Sequence, residues 1–239
     1  MKLNKSRPAI IIPTYNEADN ISLLIKEIFL ILPQANIIVV DGFSPDGTTS
    51  KVKQLQSQFP RLHLISQKKK SGRGQAVLVG FTFAYNKLPA TVMVEMDADF
   101  SHRPQELKNL IKNVDKQKVV IGSRYIPGGK IEKWPRSRRI FSFFANLLLK
   151  LVINLKLTDY TNGFRAYPRE AINVLIKNDP ICQSYLSLTE TVLILNQHHF
   201  KLKEIPCHFP NRVRGQSSTN LKEIFANLAE LIKLKRYYS

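Results

Sequence analysis

The sequence predicts a single α/β domain with a mixed, mainly parallel central sheet flanked by helices. Two observations carry this. Short β-rich apolar runs alternate with helix-period segments through the first half of the chain. Polar or acidic clusters stand where three of those runs end, and in a doubly wound layout ligands sit beyond the carboxyl ends of the strands.

Taken in order, Ala9–Pro13 reads as a buried strand. Asp19 or Asn20 is placed to cap a helix over Ile21–Leu32, which Pro33 ends. Ile37–Val40 is a second strand, closed by the turn Asp41-Gly-Phe-Ser-Pro-Asp-Gly47. A polar helix reaches Phe59, and a strand follows at Leu62–Ser66. The basic loop Lys68-Lys-Lys-Ser-Gly-Arg-Gly74 opens a helix ending near Tyr85. It reads either as a phosphate cradle at a helix N-terminus or as a solvated loop. Thr91–Met96 is a further strand, running into Asp97-Ala-Asp99. Pro104 suits the first turn of the next helix, and Val119–Gly122 is a fifth strand.

At 239 residues, 44% apolar and 23% charged, the chain has material for one sizeable core and none of the composition of disorder. Its formal charge is +18, spread along the chain and heavier in the second half. Such a charge attracts nucleic acid, nucleotide phosphates or anionic lipid headgroups. The basic residues are not interleaved with aromatics in a recognisable nucleic-acid module, so no nucleic-acid partner is expected. Cys182 and Cys207 lack metal-ligand spacing and read as ordinary thiols of a reducing compartment. The run Ala9–Ile12 is too short for a signal-peptide core, and a cytosolic location is expected.

The second half is less regular. Ile140–Leu157 carries Ser142, Asn146, Lys150 and Asn154 as one polar stripe, with Phe141, Phe144, Leu148, Leu151 and Leu155 forming an apolar face. A lysine and two asparagines in so short a run argue against a membrane span. Two readings stand: an amphipathic helix in the membrane interface, with Arg136, Arg138 and Arg139 at its start, or a core helix. Trp134 likewise suits either the interface or partial burial. Thr219–Lys235 reads as a terminal helix. His198 and His199 read as surface or packing residues; His102, which follows the Asp97-Ala-Asp99 motif, reads either as part of that site or as a helix-entry cap.

Asp97 and Asp99 stand two apart, which on an extended backbone turns both carboxylates the same way. Converging carboxylates repel unless a cation lies between them, and Mg2+ or Mn2+ bridging to phosphate oxygens is the economical explanation.

In order along the chain stand Pro13-Thr-Tyr-Asn-Glu17, Val-Val-Asp41 with Ser44-Pro-Asp-Gly-Thr48, Met-Asp97-Ala-Asp99, Gly122-Ser-Arg-Tyr125 and Asn162-Gly-Phe-Arg-Ala166. As a set, over about residues 8–220, they resemble family 2 glycosyltransferases, most closely the dolichyl- and polyprenyl-phosphate mannosyltransferases. The resemblance implies a glycosyltransferase A-type (Rossmann-like) domain over 1–239. Residues 1–125 would form the nucleotide-sugar-binding half, and 126–239 the acceptor-binding half with an interface helix about 137–157. It implies a metal-dependent, inverting transfer of a hexose, mannose from GDP-mannose, to a dolichyl or polyprenyl phosphate. Pro13, Tyr15 and Glu17 match the motif that holds base and ribose, and Asp41 the carboxylate reading the base or ribose edge. Asp97 and Asp99 match the metal pair, with Ser101 at a further metal contact. Arg124, Arg138 and Ser142 match phosphate-contacting positions. Arg212, with Arg214 as its rival, matches a late basic residue near the donor phosphates. The expected setting is peripheral, on the cytosolic face of a membrane, with room for a membrane-spanning partner subunit.

Two departures stand out. Gly42 occupies a position that is usually acidic in relatives, and Phe43 one that is often polar, so donor contacts are expected to differ. The alternatives are a UDP-sugar donor or glycan acceptor on the same fold, or a catalytically silent binding subunit; the intact Asp97, Asp99 and Arg124 speak against silence.

Overall fold

The computed structural model describes residues 7–178, 180, 182, 186–211 and 234. Strands β1 (Ala9–Thr14), β2 (Asn36–Asp41), β3 (Leu62–Ser66), β4 (Val92–Glu95) and β5 (Lys118–Ser123) are the five expected from sequence. Helices α1 (Ala18–Ile31), α2 (Thr48–Gln56) and α3 (Arg73–Lys87) alternate with the first four. A 3-10 turn at Pro104–Glu106 leads into α4 (Leu107–Lys112). Both faces of β1 and β2 are buried. Ile10, Ile12, Ile37 and Val39 pack under α1, α2 and α4, while Ala9, Ile11, Ile38 and Val40 pack under α3. Continuous apolar runs are what a strand covered on both sides requires.

The second half adds β6 (Lys130–Glu132), α5 (Arg136–Ile153), β7 (Arg165–Pro168), α6 (Arg169–Asn178), α7 (Ser187–Gln197), β8 (Lys201–Pro206) and β9 (His208–Pro210). The main sheet runs β3-β2-β1-β4-β7-β5-β8, with β7 antiparallel to both neighbours and every other pair parallel. Strands from both halves therefore share one sheet. β6 and β9 pair separately as a parallel ribbon.

The start of α1 corrects the sequence reading. The helix begins at Ala18, and its orphan donors are met by a distant loop rather than by Asp19 or Asn20. Asp46 Oδ2 accepts the Ala18 N–H at 2.9 Å, and the Thr48 hydroxyl accepts the Glu17 N–H at 3.0 Å. Burial pushes the Asp46 carboxyl up, but hydrogen bonds from Thr48 and Ala18 outweigh it and leave the pKa lowered. A folded pKa below the unfolded one gives stability that is present above about pH 4 and lost as pH falls through the folded value. Asp46→Asn, which does not ionise and keeps one acceptor oxygen in place of the two that serve Ala18 and Thr48, is expected to lower the neutral-pH midpoint and flatten that acid limb when the urea midpoint is followed against pH. Asp46→Ala should cost about 1 kcal/mol at neutral pH.

α5 turns Asn146 of its polar stripe inward and its apolar face outward. Asn146 and Leu149 face inward, and Asn146 donates to Ser142 O and Thr161 Oγ1 while accepting the Tyr160 N–H. Ile140, Phe141, Phe143, Phe144, Leu147, Leu148 and Leu151 are exposed, Leu151 at 73%. The apolar face thus points outward, and the core-helix reading is set aside. The helix stops at Ile153 because Asn154 turns into the left-handed region at φ 54°. Among the described residues no helix is long and apolar enough to cross a membrane. Trp134 is buried, edge-on to Phe209 with the Arg138 guanidinium 3.8 Å from its ring, which excludes the interfacial reading for it. His198 and His199 are exposed, as expected. The expected terminal helix over Thr219–Lys235 lies outside the described residues, apart from Leu234.

Candidate active site

Parallel register sets Thr14 beside Asp41 and Ile11 beside Glu95, so the segments that follow β1, β2 and β4 emerge at one edge of the sheet. The first expected cluster is built around Asp41. This carboxylate is 1% exposed and accepts four hydrogen bonds, from Thr14 Oγ1 (3.0 Å), Ser44 N (2.9 Å), Ser44 Oγ (2.6 Å) and Thr49 Oγ1 (2.9 Å). It folds the turn, and reading a base edge with this side chain would require the turn to open. The turn leaves Phe43 exposed at φ 66°, and Tyr15 is half-exposed with its ring centroid 3.9 Å from Lys70 Nζ. Pro13 is the partly buried fifth residue of β1, and Asn20 Nδ2 donates to Glu17 Oε2 at 2.8 Å. A Cβ at Gly42 would meet only ordinary contacts with Thr14, Gln67 and Tyr15. The usual acidic residue would fit there, so glycine changes the chemistry of the turn rather than its fold.

β4 ends at Glu95, so Asp97 and Asp99 occupy the turn beyond it and not the extended backbone expected from their spacing. Asp99 is buried, with Oδ1 accepting from both the N–H (3.0 Å) and the hydroxyl of Ser101. Ser101, expected as a metal contact, is buried and orients this carboxylate. Asp97 remains partly exposed; its Oδ1 accepts Arg73 Nε–H at 2.9 Å, and its own N–H donates to His102 Nδ1 at 2.8 Å. That bond requires an unprotonated Nδ1, so His102 Nε2 carries the proton toward Asn162 Oδ1 at 2.8 Å. Burial holds the His102 pKa down, against the pull of Asp97 and Asp99. His102 is thus a neutral strut rather than a helix cap.

Among the described residues no group of three or more His, Cys, Asp and Glu side chains converges as a metal cage. Asp97 and Asp99 fit a hard divalent cation only with further oxygens, and a diphosphate supplies those.

Sequence reasoning missed Arg73. Placed in a loop expected to meet phosphate or solvent, it has a side chain only 15% exposed and bridges Asp97 and Glu95, with Nη1 2.8 Å from Glu95 Oε2. Burial disfavours its charge, but the two carboxylates outweigh that and raise its pKa. The signal was present: Glu95 is an acidic residue inside an otherwise apolar strand, and such a charge needs a partner.

A second basic region lies beside α5. Arg124 is buried and paired with Asp159 through Nε and Nη2, both at 2.7 Å, while Nη2 also reaches Thr161 Oγ1. It still lines an open cleft shared with Tyr125, Lys130, Arg139, Phe143 and Phe144. Arg138 donates to Asn211 Oδ1 at 3.0 Å, and Ser142 accepts the Tyr125 hydroxyl at 2.7 Å, one helical turn further on. Arg212 lies outside the described residues.

Comparison with known proteins places this arrangement. The profile of Glycosyl transferase family 2 matches residues 9–176. Polyprenol monophosphomannose synthase of Mycolicibacterium smegmatis is 35% identical over 229 residues, covering 94% of this chain and 86% of that protein. Undecaprenyl-phosphate mannosyltransferase of Micrococcus luteus is 33% identical, covering 88% and 86%. Dolichol-phosphate mannosyltransferase of Pyrococcus furiosus is 34% identical, covering 96% of this chain and 64% of that protein. In fold, the chain is similar to glucosyl-3-phosphoglycerate synthase from Mycobacterium tuberculosis, solved with Mn2+ and UDP. The TM-score is 0.71 at 16% identity, over 98% of this chain and 80% of that one. The fold is of the glycosyltransferase A type, and the chain is a glycosyltransferase that belongs to family 2.

Proposed function

We propose that the chain transfers mannose from GDP-mannose to a polyprenyl phosphate at a membrane surface, with inversion at the anomeric carbon. The observation that carries this is the continuity between the cleft and α5. The basic floor of Arg124, Lys130 and Arg139 opens onto the exposed apolar face of the helix. A phosphate on a long apolar tail matches both surfaces at once. The names of the relatives support the same acceptor class and sugar.

In this reading Tyr15 and Glu17 bound the nucleotide, and Asp97 and Asp99 hold a divalent cation on its diphosphate. That cation supplies Lewis-acid stabilisation of the departing diphosphate. The acceptor phosphate is already anionic at neutral pH, so the chain needs no general base. Its residues bring two phosphates together against their repulsion and align them with the anomeric carbon. Arginine forks suit that work better than lysines. Arg138, seated on Trp134 and beside Ser142, is assigned to the acceptor. Arg138→Ala is expected to raise KM for the lipid phosphate about tenfold with little change for the donor; an equal loss of both would reassign it.

α5 is the membrane-facing element in this proposal. Phe144 and Leu148 lie one turn apart on its exposed face and are 60% and 44% exposed, so each contributes about 1 kcal/mol on entering a bilayer. Phe144→Glu with Leu148→Glu is expected to lower binding to anionic vesicles by at least tenfold, read by co-sedimentation. Unchanged binding would move the membrane contact elsewhere.

Gly42 favours one competing donor reading, because the missing carboxylate removes a polar contact near the base. Transfer assays with GDP-mannose, UDP-glucose and UDP-N-acetylglucosamine against short polyprenyl phosphates, with chelator controls, test both readings. Chelator-sensitive glycolipid from GDP-mannose supports the proposal; product from a UDP-sugar replaces the donor. Donor binding without transfer to any lipid removes the acceptor assignment.

A further inference from the structure

Asp97 is held from two sides by groups that meet at Asn162 and Gly163. His102 accepts its backbone N–H and donates in turn to Asn162 Oδ1. Arg73 takes its Oδ1, while Nη1 is anchored on Glu95 and Nη2 reaches Gly163 O at 3.4 Å. Glu95 is itself fixed by the Tyr167 hydroxyl. The seat is tight: a Cβ on Gly163 would lie 2.1 Å from Arg73 Nη2. Three acceptors around one planar fork leave the guanidinium a single orientation.

We propose that Arg73, seated by Gly163, is a positioning residue that sets the Asp97 carboxylate for the divalent cation. Arg73 binds one oxygen of Asp97 and thereby fixes the direction of the other. The proposal rests on Asp97 holding a cation, and it opposes the simplest electrostatic expectation. A fixed positive charge beside a metal ligand repels the metal, so its removal would tighten binding if charge were the whole effect. If orientation dominates, removal weakens binding.

The test is titration of the full chain with Mn2+, alone and with GDP or UDP, following the electron paramagnetic resonance signal of the free ion. Arg73→Gln and Gly163→Ala are each expected to weaken Mn2+ binding about 10- to 100-fold, the range seen for groups that orient metal ligands. Arg73→Lys, which keeps the charge without the fork, should be equally weak. Gly163→Ala displaces only the end of a flexible side chain and keeps every charge. It therefore decides the matter if Arg73→Gln, which leaves buried Glu95 short of a partner, fails to fold. Combining the two should give no further loss, because Gly163 acts through Arg73. Tighter or unchanged Mn2+ binding in folded Gly163→Ala overturns the positioning role while wild-type binding persists. Wild-type protein that binds no Mn2+, or Asp97→Asn that binds it normally, overturns the metal assignment and this proposal with it.

Discussion

Asp97→Asn and Asp99→Asn are each expected to lower turnover about 10³-fold while leaving the melting temperature within a few degrees. The size follows from a Lewis-acid contribution of about 4 kcal/mol to a leaving diphosphate, at about 1.4 kcal/mol per factor of ten. Stability should survive because asparagine keeps the shape of each side chain. At position 97 a carbonyl oxygen can still accept from Arg73, and at position 99 one can still accept from Ser101. Single-turnover rates with saturating donor and added Mn2+ separate this from weakened donor binding. Near-normal turnover in either variant would remove that residue from the metal pair. A large fall in melting temperature for Asp99→Asn alone would show that its ionised form is needed by the turn.

The parts of this site legible in the sequence are those whose partners are local or whose environment is uniform. β1, β2 and β4 announce themselves because both faces are apolar, and the acidic residues at their ends mark the edge where a ligand would sit. Burial on each side leaves no other reading for Ile10–Ile12 or Ile37–Val40. The misplaced start of α1 has a physical cause: its cap is Asp46, 28 residues away, and local capping rules see only Asp19 and Asn20. β7 was missed because its four residues include Arg165, a charge inside a sheet. That charge is satisfied by the carbonyls of Asn162, Leu188 and Tyr160, two of which lie within five residues and one 23 residues off. β8 was missed because it is a charged edge strand, Lys-Leu-Lys-Glu-Ile-Pro, whose alternation exposes its lysines. A basic residue in a loop invites a phosphate, yet Arg73 is taken by Glu95 and Asp97, 22 and 24 residues away, whereas Asp41 is held mainly by its own turn, through Ser44 and Thr49, with Thr14 as its one distant partner.

Asp159→Ala should be the most destabilising single change near the site, by about 3–5 kcal/mol, because it strands the Arg124 guanidinium in a buried position. Asp159 is fully buried, and its carboxylate also accepts the Arg124, Thr161 and Asn162 N–H groups. Burial pushes its pKa up, but Arg124 outweighs that and leaves it lowered. The sign follows: the folded value lies below the unfolded one, so the contribution is complete above about pH 4 and is lost on acidification. The pair itself is a weaker source of stability than its loss suggests, since two charges were desolvated to make it. Arg124→Met combined with Asp159→Leu is therefore expected to be more stable than Asp159→Ala alone, as read from urea midpoints. Additive losses in the double variant would show that the two residues act separately. The double variant also separates fold from chemistry. In a double variant that keeps its fold, loss of transfer to polyprenyl phosphate with donor binding intact would support a place for the guanidinium on the acceptor, whereas retained transfer would show that neither the guanidinium nor the hold of Asp159 on the segment running to Asn162 is needed for transfer.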